Sequence, residues 1–97
     1  MDIHVAAFAW REDVADSEVE EALRIVKSLE DVVEGVQSIH VGPTTSKWSK
    51  NLTHVVVVIG DSSEAIDAYR KHPIHVDIAS KIDAMELDGI GLDLHDV

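Results

Sequence analysis

Side chains able to transfer protons are concentrated in residues 69–75, where Tyr69 is followed by His72, Pro73 and His75. Imidazole changes its charge near neutral pH, which suits it to act as a general base. A phenol hydroxyl can hydrogen-bond a developing oxyanion. This stretch therefore indicates acid–base chemistry that needs no cofactor.

Pro73 determines how this stretch folds. The residue before a proline is pushed out of the α region, whereas proline itself is favoured at the first position of a helix. We therefore expect one helix to end near His72 and a second helix to begin at Pro73. His75 would lie in the first turn of the second helix, where the macrodipole disfavours the imidazolium. This arrangement predicts His75 as the base and Tyr69, on the inner face of the first helix, as the group that stabilises an enolate.

Two further histidines lie in apolar segments that read as strands, His4 in residues 3–9 and His54 in residues 53–59. If the face that carries Phe8 and Val56 meets the helices, both imidazoles point toward Tyr69 and His75. Asp93, in the last predicted strand, can orient an imidazole. The predicted pocket beside the two catalytic candidates is His4, His54, Phe8, Val56, Ile78 and Asp93. Each histidine is alternatively a core residue that holds a backbone carbonyl.

A metal site is the weaker interpretation of the same segment. His72 and His75 have the spacing of helical neighbours, but Pro73 breaks the helix between them. The chain has no cysteine, which excludes Cys-ligated zinc, thiol catalysis and disulfides. We therefore predict neither a metal nor a cofactor, and we expect His40 and His95 at the surface or in an interface.

Composition limits the classes of partner. The 97 residues predict one domain, 1–97, and the net charge of −11 argues against nucleic acid and against anionic membranes. No apolar run approaches the roughly 20 residues of a membrane-spanning helix. The start of the chain lacks the pattern of a signal peptide, so we expect a cytoplasmic protein.

Hydrophobic periodicity predicts the fold. Strands are expected at residues 3–9, 36–41, 53–59 and 89–94. A first helix, capped by Ser17 with Glu20 or by Asp16, runs to Gly35, and a shorter one starts after Asp61 or Ser62. The helix from Pro73 reaches about Leu87. This order, β-α-β-β-α-α-β, is typical of an α+β ferredoxin-like βαββαβ protomer with a four-stranded antiparallel sheet.

The strands are apolar on both faces, as the run Val55 to Val58 illustrates. The helices can cover only one face of the sheet. We therefore expect the other face to pack against a second copy of the chain in a homodimer.

The chain resembles the stress-responsive A/B-barrel (Dabb) family over nearly its whole length. The resemblance rests on His4, Gly35-Val36, Gly42, Thr53-His54 and Tyr69-x-x-His72-Pro73-x-His75. It implies a protomer whose sheet closes a dimeric α/β barrel with that of a partner. Plant polyketide cyclases of the olivetolic acid cyclase type are similar in the same segment. That similarity implies a base at His75, assistance from Tyr69 in aldol cyclisation, pocket positions at His4 and His54, and a matching aspartate at Asp93.

Together these features predict a homodimer that binds a small carbonyl-containing or phenolic molecule, with cyclase-like or isomerase-like activity. The alternative is a non-catalytic, stress-protective or structural homo-oligomer in which the histidines form a satisfied polar cluster. A third hypothesis is a sensor that binds a ligand without turnover.

Overall fold

A computed structural model describes residues 1–97. The elements are β1 (Asp2–Trp10), α1 (Asp16–Ser28), β2 (Val36–Pro43), β3 (His54–Gly60), α2 (Ser63–Lys71), α3 (Pro73–Met85) and β4 (Glu86–His95). The strands form one antiparallel sheet in the order β2-β3-β1-β4. This arrangement confirms the predicted ferredoxin-like α+β fold. No helix combines the length and the hydropathy that are needed to cross a membrane.

The core lies between one face of the sheet and the helices. Alternate residues of the two central strands supply it, with His4 opposite Val58 and Ala6 opposite Val56 in the register of β1 and β3. Leu29, Ile39 and Val58 are completely buried. Helical residues complete the same cluster: Val19, Ala22, Leu23, Val26, Ile66, Tyr69, Ile78 and Ile82.

The other face of the sheet is apolar and open. Val5 lies opposite Val57 on β3 and opposite Leu92 on β4, so the three side chains share this face. The exposed fractions of Ile90, Leu92 and Leu94 are 48%, 58% and 55%. A soluble sheet normally carries polar residues on its water-facing side, so this surface, the open face, is unusual for a lone subunit.

The ends of α1 differ from the prediction. Ala15 is the N-cap, and its N–H donates to the Glu18 carboxylate at 3.2 Å, so the proposed caps at Ser17 and Asp16 are wrong. Both residues lie inside the first turn of the helix. The helix also ends at Ser28 rather than at Gly35, and one 3₁₀ turn, Leu29–Asp31, follows it.

Two side chains near the end of α1 bind the edge strand β2. The Ile39 N–H donates to Glu30 at 2.6 Å, and Lys27 Nζ donates to Glu30 at 2.8 Å and also to the Ile39 carbonyl. The hydrogen bond from Ile39, aided by Lys27, holds the pKa of Glu30 below its usual value. These contacts occupy backbone groups of Ile39 that the sheet itself does not pair.

Three other boundaries differ by a few residues. The second strand continues through Pro43, where we expected Gly42 and Pro43 to end it, because β2 is an edge strand and needs no donor on its outer side. The last helix ends at Met85 rather than near Leu87, since Glu86 adopts an extended ψ of 143°. As a result β4 begins at Glu86 and pairs along all of β1.

Gly35 is expected to be essential for the turn into β2. Its φ is +88°, and an added Cβ would lie 2.9 Å from the Cβ of Ala65. Gly35→Ala should therefore lower the free energy of unfolding by about 1–3 kcal/mol. The control is Gly91→Ala, where a Cβ meets no atom within 4 Å. Urea unfolding at one fixed protein concentration measures both, and equal losses would contradict the strain argument.

Candidate functional site

A cavity of about 150 Å³ lies between β1, β3 and the inner faces of the helices. A cavity of this volume can hold a single six-membered ring. Six of the predicted site residues line it: His4, Phe8, Val56, Tyr69, His75 and Ile78. The remaining lining residues are Ala6, Val26, Ala79, Ile82 and Asp83.

The break between α2 and α3 positions the reactive end of this cavity. His72 adopts an extended conformation, with φ −59° and ψ 135°, and is both the last cap of α2 and the first cap of α3. Its Nδ1 accepts a hydrogen bond from the Ile74 N–H at 3.1 Å. The predicted bend at His72 is therefore confirmed. His72 Nδ1 is therefore used to cap the start of α3.

The break also determines the tautomer of His75. A continuous helix would pair the Arg70 carbonyl with the N–H of Ile74, which here donates to His72 instead. His75 Nδ1 lies 2.9 Å from the Arg70 oxygen. A carbonyl only accepts, so Nδ1 carries the hydrogen and donates it. In the neutral imidazole, Nε2 therefore keeps its lone pair and can accept a proton.

The surroundings keep His75 neutral. Burial lowers its pKa below the usual 6.5, and the charge of His4 when protonated and that of Arg70 lower it further. The hydrogen bond to the Arg70 carbonyl and the charge of Asp83 oppose this shift in pKa. We expected neutrality from the helix macrodipole, but the main cause is burial.

Tyr69 provides a hydrogen-bond donor beside this base. Its exposed fraction is 2%, and its ring centroid lies 4.5 Å from that of His75 and 6.1 Å from that of His4. Burial raises the pKa of Tyr69 to about 12, against a small opposing effect of Arg70. The phenol is therefore protonated at neutral pH and can donate to an oxygen in the cavity.

Asp93 lies behind His4 rather than in the cavity wall. Its Oδ1 is 2.9 Å from His4 Nδ1 and 2.5 Å from Arg70 Nη2. The hydrogen bond to His4, followed by that from Arg70, lowers the pKa of Asp93. The structure thus brings Asp93 to one cavity imidazole, which is that of His4 and not that of His75.

His54 does not line the cavity. It lies opposite Phe8, four residues along β1 from His4, which is a distance of about 13 Å. Its Nδ1 accepts a hydrogen bond from Trp10 Nε1 at 2.9 Å, and the Trp10 indole stacks on Phe8 with centroids 5.2 Å apart. The alternation of side chains along the strands correctly predicted that His54 lies on the helix side of the sheet. It did not predict how far along the strand His54 lies from His4.

Sequence reasoning missed two residues of the site. Asp83 lines the cavity because it lies eight positions after His75, on the same face of α3 as Ala79. The helical spacing could have revealed it. Arg70 contacts Asp93 and supplies the carbonyl that binds His75, and no spacing rule signals either contact. No group of three or more potential ligands is placed to hold a metal ion.

Comparison with known proteins finds the same domain in a family model and in a curated relative. The model of the family described as Stress responsive A/B Barrel Domain matches residues 3–94. The stress-response A/B barrel domain-containing protein HS1 of Arabidopsis thaliana is 27% identical over 79 residues, which are 79% of this chain and 72% of that protein.

Solved structures share the fold at lower identity. A dimeric ferredoxin-like protein of unknown function from Jannaschia sp. CCS1 has a TM-score of 0.88 at 20% identity, with 98% of each chain covered. The hydroxynitrile lyase of Passiflora edulis has a TM-score of 0.85 at 9% identity, covering 99% of this chain and 94% of that one. At these identities the likeness establishes the fold alone.

The low pKa of His75 has a measurable consequence. A pH titration of its ring signals by NMR, assigned by their loss in His75→Gln, should give a midpoint below 6.5. Because the neutral form is favoured in the folded state, its contribution to stability is complete above pH 6.5. That contribution is lost as the pH falls through the lower, folded pKa. His75→Gln should remove this part of the pH dependence of unfolding, and a midpoint at or above 6.5 would contradict the burial argument.

Proposed function

The chain belongs to the stress responsive A/B barrel domain family, and from this premise we propose a function for its cavity. The chain forms a homodimer that binds a small carbonyl-containing or phenolic molecule. It converts that molecule by cofactor-free acid–base catalysis of the cyclisation or isomerisation type. The observation that carries the proposal is the Nε2 lone pair of a neutral His75, whose ring centroid lies 4.5 Å from that of the protonated phenol Tyr69.

The two residues have complementary roles. His75 Nε2 removes a proton from the carbon next to the carbonyl, the electron pair of that C–H bond forms a C=C bond, and the π pair of the carbonyl moves onto its oxygen. Tyr69 donates a hydrogen bond to the enolate oxygen that forms. In cyclisation the enolate carbon attacks a second carbonyl of the same molecule, whereas in isomerisation it is reprotonated elsewhere. The similarity of residues 69–75 to plant polyketide cyclases supports the cyclisation variant.

The walls of the cavity define the kind of molecule. Phe8, Val56 and Ile78 present apolar surface, and the volume suits one ring. Asp83 contributes a carboxylate to the lining, which disfavours anionic ligands. A neutral, ring-sized carbonyl compound or phenol therefore fits best. One protein of the same fold is named a hydroxynitrile lyase, so the fold is compatible with catalysis.

The homodimer follows from the open face of the sheet. Each 100 Å² of apolar surface that a partner covers contributes about 2.5 kcal/mol before the costs of association are subtracted. Leu92 and Leu94 are more than half exposed in the single chain. The protein from Jannaschia sp., which has this fold, is described as dimeric.

A second candidate function is a non-catalytic, stress-protective or structural homo-oligomer. It is favoured by the pairing of the most deeply buried polar atoms, since no side-chain nitrogen or oxygen that is fully shielded from solvent lacks a hydrogen-bond partner. In this reading His4 and His75 are satisfied core residues whose partners are Asp93 and the Arg70 carbonyl.

Proton abstraction can be tested without knowing the natural substrate. Exchange of the α-hydrogens of cyclohexanone in D₂O, followed by NMR, should be accelerated by the protein. His75→Ala should reduce the acceleration by about 10²–10⁴-fold because it removes the base. Tyr69→Phe should reduce it by about 10²-fold because it removes the donor to the enolate oxygen. The control is His95→Ala, since the His95 side chain is 80% exposed in the last strand.

Each result of this experiment has a distinct meaning. Equal rates in the wild type, His75→Ala and Tyr69→Phe would refute catalysis by these residues. Saturable shifts of the Tyr69 and His75 signals without exchange would identify a binding protein or sensor. Neither exchange nor shifts would favour the structural oligomer.

Association through the open face is tested by Leu92→Glu, which places a charge on the part of that apolar surface contributed by β4. Sedimentation velocity at micromolar concentration should give a dimer for the wild type and a monomer for this variant. Val76→Glu is the matched control, because Val76 is 55% exposed on α3, away from the sheet. It should remain dimeric. A monomeric wild type would overturn the proposed assembly.

A further inference from the structure

Arg70 is connected to both histidines of the cavity, directly to His75 and through Asp93 to His4. Its carbonyl accepts the hydrogen bond of His75 Nδ1 at 2.9 Å. Its guanidinium donates to Asp93 at 2.5 Å, on the same carboxylate oxygen that lies 2.9 Å from His4 Nδ1. One residue at the end of α2 therefore connects to both imidazoles, to one through its main chain and to the other through its side chain.

Asp93 depends on this contact for its position. Its side chain is 62% exposed, and an exposed carboxylate near a strand end is free to change rotamer. Arg70 holds it in place and is itself 3.6 Å from Asp67, one turn earlier on α2. The ion pair of Arg70 with Asp93, hereafter the bridge, thus joins α2 to β4 directly behind the ring of His4.

The bridge also fixes which nitrogen of His4 carries hydrogen. The Asp93 carboxylate can only accept from His4 Nδ1, at 2.9 Å, whereas Arg70 Nη2, at 3.2 Å, can only donate to it, so the two contacts favour opposite tautomers. Asp93 is the nearer partner and Arg70 Nη2 already donates to Asp93 Oδ1, so His4 Nδ1 carries a hydrogen and donates it to Asp93. Asp93 does not line the cavity, whereas His4 does. With Nδ1 engaged by Asp93, Nε2 is the ring nitrogen of His4 that is left for a ligand in the cavity.

We propose that Arg70 is a positioning residue that acts through Asp93 and makes His4 Nε2 a second hydrogen-bond acceptor of the cavity. The cavity then presents two imidazole lone pairs, from His4 and His75, around the single donor Tyr69. Resting on the proposed function, this arrangement selects hydroxy-carbonyl compounds. The carbonyl pairs with Tyr69, the acidic C–H with His75, and the hydroxyl with His4.

The tautomers can be observed directly by long-range ¹H–¹⁵N correlation of the histidine rings at pH 7.5. In the wild type His4 and His75 should both show the Nδ1–H pattern. Arg70→Met should move His4 toward a mixture of tautomers and leave His75 unchanged, because the Arg70 carbonyl remains. Arg24→Met removes an equivalent side chain on α1, 71% exposed, and should leave both rings unchanged.

Asp93→Ala provides a second test at an exposed position and should alter His4 as Arg70→Met does. If His4 keeps the Nδ1–H pattern in both variants, or shows Nε2–H in the wild type, the proposal is overturned. If Asp93→Ala alone changes His4, the role of Arg70 is overturned.

Ligand selection is measured with 2-hydroxycyclohexanone and cyclohexanone. The hydroxyl should tighten the Kd by about fivefold in the wild type, the usual net effect of one hydrogen bond, and Arg70→Met should abolish this preference. An equal preference in both proteins would overturn the selection argument. Failure of both ketones to bind the wild type would refute the proposed function, whereas the tautomers would still decide the role of Arg70.

Discussion

The carbonyl oxygen of Arg70 is the group on which the rest of the site depends. Helix termini leave carbonyls without partners, and a buried one must find a donor. Because Pro73 starts a new helix and the Ile74 N–H caps on His72, the donor that reaches Arg70 is the imidazole of His75. A requirement of backbone pairing thereby fixes the ring orientation and the tautomer of the proposed base.

The sheet supplies the other half of the site through long-range pairing. The register of β1 with β4 places His4 opposite Asp93, residues separated by nearly the whole chain. The register of β1 with β3 places Val56 beside Ala6 in the floor of the cavity. The helices then cover this side of the sheet. The polar side chains of the site therefore lie on the covered face, whereas the open face is apolar.

Local signals were sufficient for much of this structure. The β-branched run of β3, the bend at His72 and the closeness of Tyr69 to His75 all follow from residues near each other in sequence. Periodicity could assign His54 to a face, but its separation from His4 depends on strand register. Arg70 and Asp83 were missed because charged residues are normally solvated. Helical spacing from His75 could have revealed Asp83, but only the folded structure shows the carboxylate that Arg70 meets.

The contacts of Lys27 and Glu30 with Ile39 affect how copies of this chain can meet. A free strand margin is a template for adding further strands, and repeated addition produces fibrils. At β2 the outward amide and carbonyl of Ile39 are already taken, so this margin offers an incomplete template. Open-ended polymerisation along β2 is thereby disfavoured, whereas the broad apolar side of the sheet stays exposed in the single chain.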